Sequence, residues 1–183
     1  MIAPTAGTLL ISDPFLQDPN FMRTVVLLCE HNREGSFGLV LNRPYDHTLA
    51  DLITGLENHP LPVYYGGPVQ QDTLHFLHQL PEAIEGGQEI LPGVFWGGNF
   101  ETVTQLLRED ALDADKIRFY IGYSGWSSGQ LESELEEKSW LTVQGSRRLA
   151  FHPRPDAIWK DALREMGGPY EQLINYPIDP QLN

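Results

Sequence analysis

Cysteine, lysine and long apolar runs are all scarce in this chain of 183 residues. The single cysteine, Cys29, excludes an intramolecular disulfide framework and suits a reducing cytosol. No apolar run approaches the roughly 18 residues of a membrane-spanning helix, and the N-terminus lacks the basic and then apolar pattern of a signal peptide. We therefore expect a cytoplasmic protein that makes no contact with a membrane.

The chain also has few basic residues. The chain carries 12 Lys and Arg against 25 Asp and Glu, which gives a net charge of −13. Its lysines, Lys116, Lys138 and Lys160, lie far apart, and Arg147-Arg148 is the one pair of adjacent basic residues. Because nucleic acids are bound by clustered Lys and Arg side chains, we expect no direct binding to DNA or RNA.

Apolar runs near the N-terminus predict neighbouring strands at Gly7 to Ser12 and Arg23 to His31. Within the second run, Thr24 to Cys29 is apolar on both faces, which is typical of a central strand that is covered above and below. A short polar connection containing Gly35 leads to a third run, Ser36 to Leu41. Two strands joined this tightly should pair antiparallel.

Capping signals predict the helices. Thr48 and Asp51 have the spacing of a capping box, Asn99 can cap the apolar stripe that follows it, and Pro155 to Met166 reads as a helix stopped by glycines. Further short strands are predicted at 63–65, 74–77, 94–96, 119–121 and 140–143. Because hairpins precede helices without strict β-α alternation, the pattern favours a single α+β domain with a mixed sheet.

The segment from Gly122 to Gln130 concentrates glycines, serines and the aromatic residues Tyr123 and Trp126. We expect a tight turn between a strand and a helix, with Ser127 and Gln130 forming a second capping box. The glutamates of that helix should lie mostly on its wet side. The segment should line a concave surface and be held more by packing than by chemistry.

Catalytic and metal-binding patterns are weak. The run around Ser124 departs from the G-x-S-x-G nucleophile elbow because Trp126 replaces the second glycine. Cys29 and His31 fall on one face of a strand, as two metal ligands or a thiolate and its partner would, but a buried structural cysteine is the better interpretation. Arg43 could clamp a carboxylate or phosphate, although pairing with a nearby Asp or Glu is favoured. We expect no metal and no cofactor.

Several segments, in register along nearly the whole chain, resemble the YqgE/AlgH family of bacterial proteins. They are Gly7 to Ser12, Asp18 to Asn32, Gly35 to Pro44, Tyr65 to Val69 and Gly122 to Leu131. The resemblance implies one domain over residues 1–183, with a mixed, largely antiparallel, partly barrel-like sheet surrounded by helices. Members of that family are mostly described as uncharacterised, the AlgH name carries a suggested role in transcriptional regulation, and no established catalytic residues can be carried over.

Our leading hypothesis is a non-catalytic binding or regulatory protein whose partner is a protein or a small molecule held near the glycine and aromatic strand ends. The candidate ligand-binding residues are His31, Asn42, Arg43, Gly66, Gly67, Tyr123, Ser124, Trp126 and Gln130. One alternative is an enzyme with a cleft near His31, Arg43 and Ser124. Another is a regulator that binds DNA directly, which the net charge of −13 disfavours.

Overall fold

Ten strands form one connected sheet in the computed structural model, which describes residues 1–178. They are β1 (Thr8–Ser12), β2 (Val25–Asn32), β3 (Gly35–Val40), β4 (Pro44–Thr48), β5 (Pro62–Tyr65), β6 (Val69–His78), β7 (Gln88–Leu91), β8 (Val94–Trp96), β9 (Ile117–Ser127) and β10 (Trp140–Gln144). Neighbours run in the order β10-β1-β2-β3-β9-β6-β8-β7, with β5 beside β9 and β4 beside β5. The expected domain extends to residue 183, and 179–183 lie outside the described residues.

The expected α+β fold with a mixed, largely antiparallel sheet is confirmed. β2 pairs antiparallel with β1 and with β3, and Thr24 to Cys29 is buried throughout, so the prediction of a central strand is also confirmed. One parallel pair, β5 with β9, makes the sheet mixed. The doubly apolar sequence of β2 follows from this position, because both of its faces are covered.

The sheet curls around a first apolar cluster, which we call the inner core. Leu9, Ile11 and Leu141 from one end of the sheet pack in this cluster with Leu91 and Val94 from the other end. Such contacts require the two ends to approach one another. At their meeting point Gly7 has a φ of +88°, and a Cβ atom there would lie 2.3 Å from the carbonyl oxygen of Ile90. A larger residue would push the ends apart, so the curl depends on this glycine.

Six helices cover the sheet in the described part of the chain. They are α1 (Leu49–Leu52), α2 (Phe100–Arg108), α3 (Gln130–Glu136), α4 (Arg147–Ala150), α5 (Ile158–Met166) and α6 (Pro169–Gln172). α4 and α5 contribute to the inner core, α1 and α2 pack against the outer face of β5, β6 and β9, and α3 packs against the outer face of β1, β2 and β3. None of these helices has the length and apolar character needed to cross a bilayer.

Two of the predicted helix starts are confirmed. Thr48 and Asp51 form the capping box, although α1 ends after a single turn at Leu52. The side chain of Asn99 accepts a hydrogen bond from the backbone N–H of Thr102 at 3.2 Å, which caps α2. The predicted helix from Pro155 to Met166 begins with a 3-10 turn and continues as α5. Side-chain caps satisfy N–H groups that have no partner within the helix.

The prediction of a turn after Ile121 is wrong, because β9 continues unbroken to Ser127. Gly122 takes the left-handed conformation, with a φ of +70°, inside the strand. Its local kink changes the alternation of the side chains, so that Tyr120 and Tyr123 both pack on the inner core. The glycine that indicated a turn therefore lies at a kink within a continuous strand.

The predicted second capping box is partly correct. The backbone N–H of Ser127 donates to the side-chain oxygen of Gln130 at 3.0 Å, as expected. The N-cap of α3 is nevertheless Gly129, which is left-handed at a φ of +77° and has no side chain with which to cap. Gln130 consequently stabilises the turn at the strand end and leaves the first N–H groups of α3 without a side-chain cap.

Candidate ligand-binding groove

An open groove of about 460 Å³ lies where β3 begins and β9 ends. Its walls come from the hairpin between β2 and β3, from Val69 at the start of β6 and from the last residues of β9. Phe37 and Tyr123 form an aromatic wall, and Glu30 and Glu34 lie at the rim. It is larger than three other cavities in the described part of the chain, which have volumes of about 310 to 360 Å³.

Four rings form the aromatic wall and extend behind it. The ring of Phe37 lies 5.0 Å from Tyr123 and 4.9 Å from Trp96 between centroids. The imidazole of His75 lies 5.5 Å from Phe37 and 5.8 Å from Tyr123. Gly125 allows this close arrangement, since a Cβ atom there would lie 3.3 Å from the Tyr123 ring. These tilted and edge-to-face contacts hold the four rings against one another without a ligand.

The rim of the groove is acidic. The side chain of Asn32 donates to Glu30 at 3.0 Å and accepts from the backbone N–H of Glu34 at 2.8 Å, which shapes the hairpin that carries both carboxylates. Both glutamates are exposed to solvent, and no Lys, Arg or His is found among the described residues that line the groove. The charged side chains that line the groove, in the described part of the chain, are therefore acidic.

His31 lies beside the groove in a chain of polar contacts. Its Nδ1 atom is 2.5 Å from the Ser36 hydroxyl, and its Nε2 atom is 3.3 Å from a carboxylate oxygen of Glu132 on α3. When the imidazole is neutral, the carboxylate accepts from Nε2–H, so Nδ1 accepts from the Ser36 hydroxyl. The result is a serine, histidine and glutamate arranged in one hydrogen-bonded series.

The expectation that Cys29 and His31 share a face is wrong. A bulge between Leu28 and Glu30 shifts the register of β2 against β3. Cys29 packs in the inner core with no exposed surface, whereas His31 contacts α3 on the outer face. The preferred interpretation of Cys29 as a buried cysteine is confirmed, and burial raises the pKa of its thiol far above the ordinary value.

Arg43 and Asn42 hold the loop before β2. The guanidinium of Arg43 donates to the carbonyl oxygens of Pro19 at 2.6 Å and Met22 at 2.9 Å. Asn42 accepts from Val25 N–H at 3.0 Å and donates to the carbonyl oxygen of Arg23. The prediction that Arg43 pairs with a nearby Asp or Glu is wrong, because its guanidinium donates to backbone carbonyl oxygens of the loop instead.

Gly66, Gly67 and Ser124 lie together where β5 ends against β9. A Cβ atom at Gly66 would lie 2.4 Å from the carbonyl oxygen of Gly122, and one at Gly67 would lie 2.2 Å from that of Tyr123. Ser124 has no exposed surface. Both glycines therefore allow two backbones to touch, and the structure places them and Ser124 in the interior of the sheet.

The indole ring of Trp126 packs under α3, and the residue also lines the groove. Only 5% of the residue is exposed. The ring stacks with Phe21 at 6.2 Å and meets Trp140 edge-on at 6.1 Å. Both indole N–H groups donate to one carboxylate oxygen of Glu134, at 3.3 Å from Trp126 and 3.0 Å from Trp140. Glu134 is thus half-buried rather than on the wet side of α3.

The sequence interpretation missed Glu30, Glu34 and Phe37 as groove residues. Their positions depend on the pairing of β3 with the far end of β9, and no local pattern reports that contact. His75 and Trp96 were likewise missed, because they join the aromatic wall through the pairing of β6 with β8 and β9. Of these residues, only Phe37 had a sequence feature that could have indicated a site, because it is an aromatic residue flanked by Gly35 and Gly38.

The fold and groove define an α+β protein with a curled sheet and an acidic, aromatic-walled binding surface. The model of the AlgH-like family, DUF179, matches residues 9–171. A UPF0301 protein of Chlorobaculum tepidum is 43% identical, over 97% of this chain and 95% of that protein. One of Cytophaga hutchinsonii is also 43% identical, over 98% of this chain and 99% of that protein. The chain belongs to the AlgH-like family.

Solved structures agree with this assignment. The solution structure of AlgH from Pseudomonas aeruginosa superimposes with a TM-score of 0.74 at 30% identity and covers 97% of each chain. A crystal structure of a Corynebacterium diphtheriae protein gives a TM-score of 0.81 at 20% identity, over 96% of this chain and 94% of that one. The second likeness concerns the fold alone. The resemblance to the YqgE/AlgH family that the sequence motifs indicated is confirmed.

Proposed function

We propose that the chain is a binding protein that uses the groove to take a cationic group, an ammonium or guanidinium, from a protein or small-molecule partner. The observation that carries the proposal is the combination of an acidic rim with an aromatic wall. Glu30 and Glu34 supply the charge, and the rings of Phe37 and Tyr123 supply flat faces and edges. Cations bind both to carboxylates and to aromatic faces, and a groove of this volume admits one such group with its neighbours.

Only some of the candidate residues suggested by the sequence lie at the groove. Tyr123 and Trp126 line the groove, and His31 contacts Ser36 in its wall. Gln130 contacts Ser127, the residue that follows Trp126. The other candidates make contacts within the fold instead; they are Asn42, Arg43, Gly66, Gly67 and Ser124. Their contacts, to loop carbonyls and between closely packed backbones, support a structural role. If the protein has a regulatory role, its partner would bind in the same groove.

The test is a titration with N-acetyl-arginine amide and, separately, with spermidine, followed by amide chemical shifts of residues 30–37 and 123–126. Binding should be saturable and should weaken about tenfold or more in Glu30→Gln/Glu34→Gln, because each lost charge pair removes roughly 1 kcal/mol or more. Glu136→Gln/Glu137→Gln, at two exposed residues where α3 ends, is the matched control. Equal loss in both variants, or no saturable shift, would reject the proposal.

A second candidate function is hydrolysis with Ser36 as the nucleophile. The series of Ser36, His31 and Glu132 carries it, because a serine activated by a histidine that a carboxylate orients is the usual arrangement for acyl transfer. The serine belongs to the sheet, and 9% of the residue is exposed beside the groove. This serine, rather than Ser124, is the one that His31 contacts.

Labelling with a fluorophosphonate probe tests the second candidate. Attack by the hydroxyl oxygen forms a phosphorus–oxygen bond and releases fluoride, while His31 takes the proton. Mass spectrometry should find the adduct on Ser36 in the wild type, and labelling should be lost in His31→Ala. Ser124→Ala is the control and should label normally. No adduct on Ser36 after prolonged exposure rejects hydrolysis by this series.

A further inference from the structure

One edge of β6 is left uncovered over much of its length. β6 has ten residues, whereas its neighbour β8 has three and pairs with it at Leu77 and His78. The last backbone contact on this side runs from Gly97 N–H to the carbonyl oxygen of Phe76 at 2.9 Å. Before Phe76, no strand in the described part of the chain lies along this edge. Proteins usually cover or block such an edge, because it can pair with another chain.

Two glycines end β8 and turn the chain away from β6 into α2. Gly97 has a φ of +75° and Gly98 one of +129°, which residues with a side chain rarely adopt. The buried imidazole of His78 holds this turn. Its Nδ1 atom accepts from Leu80 N–H at 3.1 Å, so Nε2 carries the proton and donates to the carbonyl oxygen of Gly97 at 2.9 Å. The gap beside β6 is therefore a fixed feature of the fold.

The backbone groups of Leu74 face the uncovered edge. In an antiparallel sheet a residue bonds to one neighbouring strand through both its N–H and its C=O, and the next residue bonds to the other neighbour. The carbonyl of Phe76 bonds on the β8 side, so His75 bonds on the β9 side and Leu74 again faces the β8 side. The register against β9 is regular from Leu74 to His78, so no bulge interrupts this alternation.

A cavity of about 310 Å³ lies along the uncovered edge. On the side of α2 it is lined by Phe76 and Phe100, whose ring centroids are 6.0 Å apart. On the other side it is lined by His75 and Trp96, which stack at 6.2 Å. Leu74, which supplies the backbone edge, also lines the cavity and is half-buried. Since the side chains of a strand alternate between faces, an added strand would meet one pair of rings on each face.

The charged residues around this cavity are acidic. Asp72 precedes it on β6, Glu101 lies in the first turn of α2, and the carbonyl of Glu85 accepts from Asn99 N–H at 2.8 Å. All three acidic residues are exposed, and none takes part in the ion pairs found among residues 1–178. No Lys or Arg of the described chain lines the cavity. The surroundings are therefore complementary to a positively charged partner.

We propose that the uncovered edge of β6 binds an extended segment of a partner protein, in which apolar side chains are flanked by Lys or Arg. The segment adds to the sheet as a further strand and exchanges backbone hydrogen bonds with Leu74. Its apolar side chains lie against Phe100 and Trp96, and its basic side chains lie near Asp72 and Glu101. In this mode of recognition the main-chain bonds supply affinity and the side-chain pockets supply preference for sequence. The inference does not rest on cation binding at Glu30 and Glu34.

Hydrogen exchange of the full chain, with the peptide acetyl-Lys-Val-Phe-Thr-Lys-amide as probe, tests the proposal. In the free protein the Leu74 amide should exchange quickly and the His75 amide slowly, because only His75 bonds to β9. Saturating peptide should slow exchange at Leu74 by about tenfold or more. A Leu74 amide that the peptide does not protect would overturn the proposal. Protection in a dimer that forms without peptide would also overturn it, because a second copy would then be the occupant.

Methylated peptides distinguish strand pairing from contact through side chains alone. An added strand bonds through alternate residues, so N-methylation of the Phe, or of the Val and Thr together, should weaken binding by about tenfold in one case and leave it nearly unchanged in the other. Equal affinities of the two methylated peptides would contradict strand addition.

Charge variants test the preference for a basic segment. Replacing both lysines of the peptide by glutamate should weaken binding by about tenfold, and Asp72→Asn/Glu101→Gln should weaken binding of the lysine peptide by about threefold. Glu136→Gln/Glu137→Gln, far along the chain at the end of α3, is the control and should bind as the wild type does. Equal affinity for the lysine and glutamate peptides would overturn the assignment of a basic partner.

Discussion

The hydroxyl of Ser124 donates to the carbonyl oxygen of Gly66 at 3.1 Å, across 58 residues of sequence. The same carbonyl accepts from Val40 N–H at 2.9 Å, so three strands are joined at one oxygen. Both Ser124 and Gly66 are buried. The contact stabilises the point at which the sheet branches, and it explains why the serine most like a nucleophile in the sequence is a structural group.

Gly66→Ala should be strongly destabilising. The new methyl group would lie 2.4 Å from the carbonyl oxygen of Gly122, so β5 and β9 would have to separate. We expect a loss of about 3 kcal/mol in the free energy of unfolding. Gly129→Ala is the control, because that glycine is left-handed but faces open space, and about 1 kcal/mol should be lost there. Urea denaturation that ranks the two variants in the opposite order would contradict this explanation.

Arg43→Met should loosen the loop between β1 and β2. The substitution keeps the length of the side chain but removes the donors that hold the carbonyl oxygens of Pro19, Asn20 and Met22. We expect a loss of about 1–2 kcal/mol and faster proteolysis within residues 13–24. Arg33→Met, at the exposed hairpin, should change neither quantity. Unchanged cleavage in Arg43→Met would show that the loop is held by other contacts.

Acid should remove a stabilising contact at Asp161. The hydrogen bond from His152, followed by that from Arg164, lowers the pKa of this carboxyl below its ordinary 3.8. A group whose pKa is lower in the folded state stabilises the fold above its unfolded pKa and loses that effect as the pH falls through the folded value.

The difference in unfolding free energy between wild type and Asp161→Asn should therefore shrink as the pH falls from about 5 through and below the ordinary pKa of 3.8. Chemical denaturation at pH 7, 5, 4, 3 and 2.5 measures it. Asp156→Asn, at an exposed residue near the same contact, is the control. A difference that grows as the pH falls would contradict the sign of the argument.

Local patterns predicted the strands and caps whose signals lie within a few residues. The buried run in β2, the antiparallel hairpin into β3 and the caps of α1 and α2 are of this kind. β4, β7, α4 and α6 went unpredicted, because none of them contains three consecutive apolar residues, as the equally short predicted strands β5 and β8 do. Short elements carry too few residues for hydrophobic periodicity to show.

The candidate sites were harder to predict, because a single irregular residue in a strand changes the face of the sheet on which the following side chains lie. One bulge near Cys29 separated it from His31, and one left-handed glycine, Gly122, turned an expected turn into a continuous strand. Because strand side chains alternate with a period of two, an added residue exchanges the faces of all that follow. Glu30 carries no sequence signal that would reveal its position at the groove.

Binding to random duplex DNA should be negligible at physiological salt. The net charge of −13 opposes approach to phosphates, and the three lysines, at 116, 138 and 160, are far apart in sequence. Neutralising several phosphates at once needs clustered basic groups. Fluorescence anisotropy with a labelled 20-base-pair duplex measures the affinity, and sub-micromolar binding that weakens steeply with salt would contradict the expectation.

Trp126→Ala should destabilise the fold without weakening the groove. The ring packs with Phe21 and Trp140 under α3, and its N–H donates to Glu134, so its removal leaves a cavity and an incomplete set of hydrogen bonds. We expect a loss of about 2–4 kcal/mol in the free energy of unfolding. Phe15→Ala, where 53% of the residue is exposed, should lose no more than about 0.5 kcal/mol.

The same variant distinguishes packing from recognition at this residue. Only the backbone of Trp126 belongs to the groove wall as we interpret it, because the ring lies with α3 on the outer face. Affinity for N-acetyl-arginine amide, measured well below the melting temperature of the variant, should therefore stay within about twofold of the wild type, whereas Tyr123→Leu should weaken it several-fold. A melting temperature that hardly moves, together with lost affinity in Trp126→Ala, would mean that the indole serves the ligand and not the core.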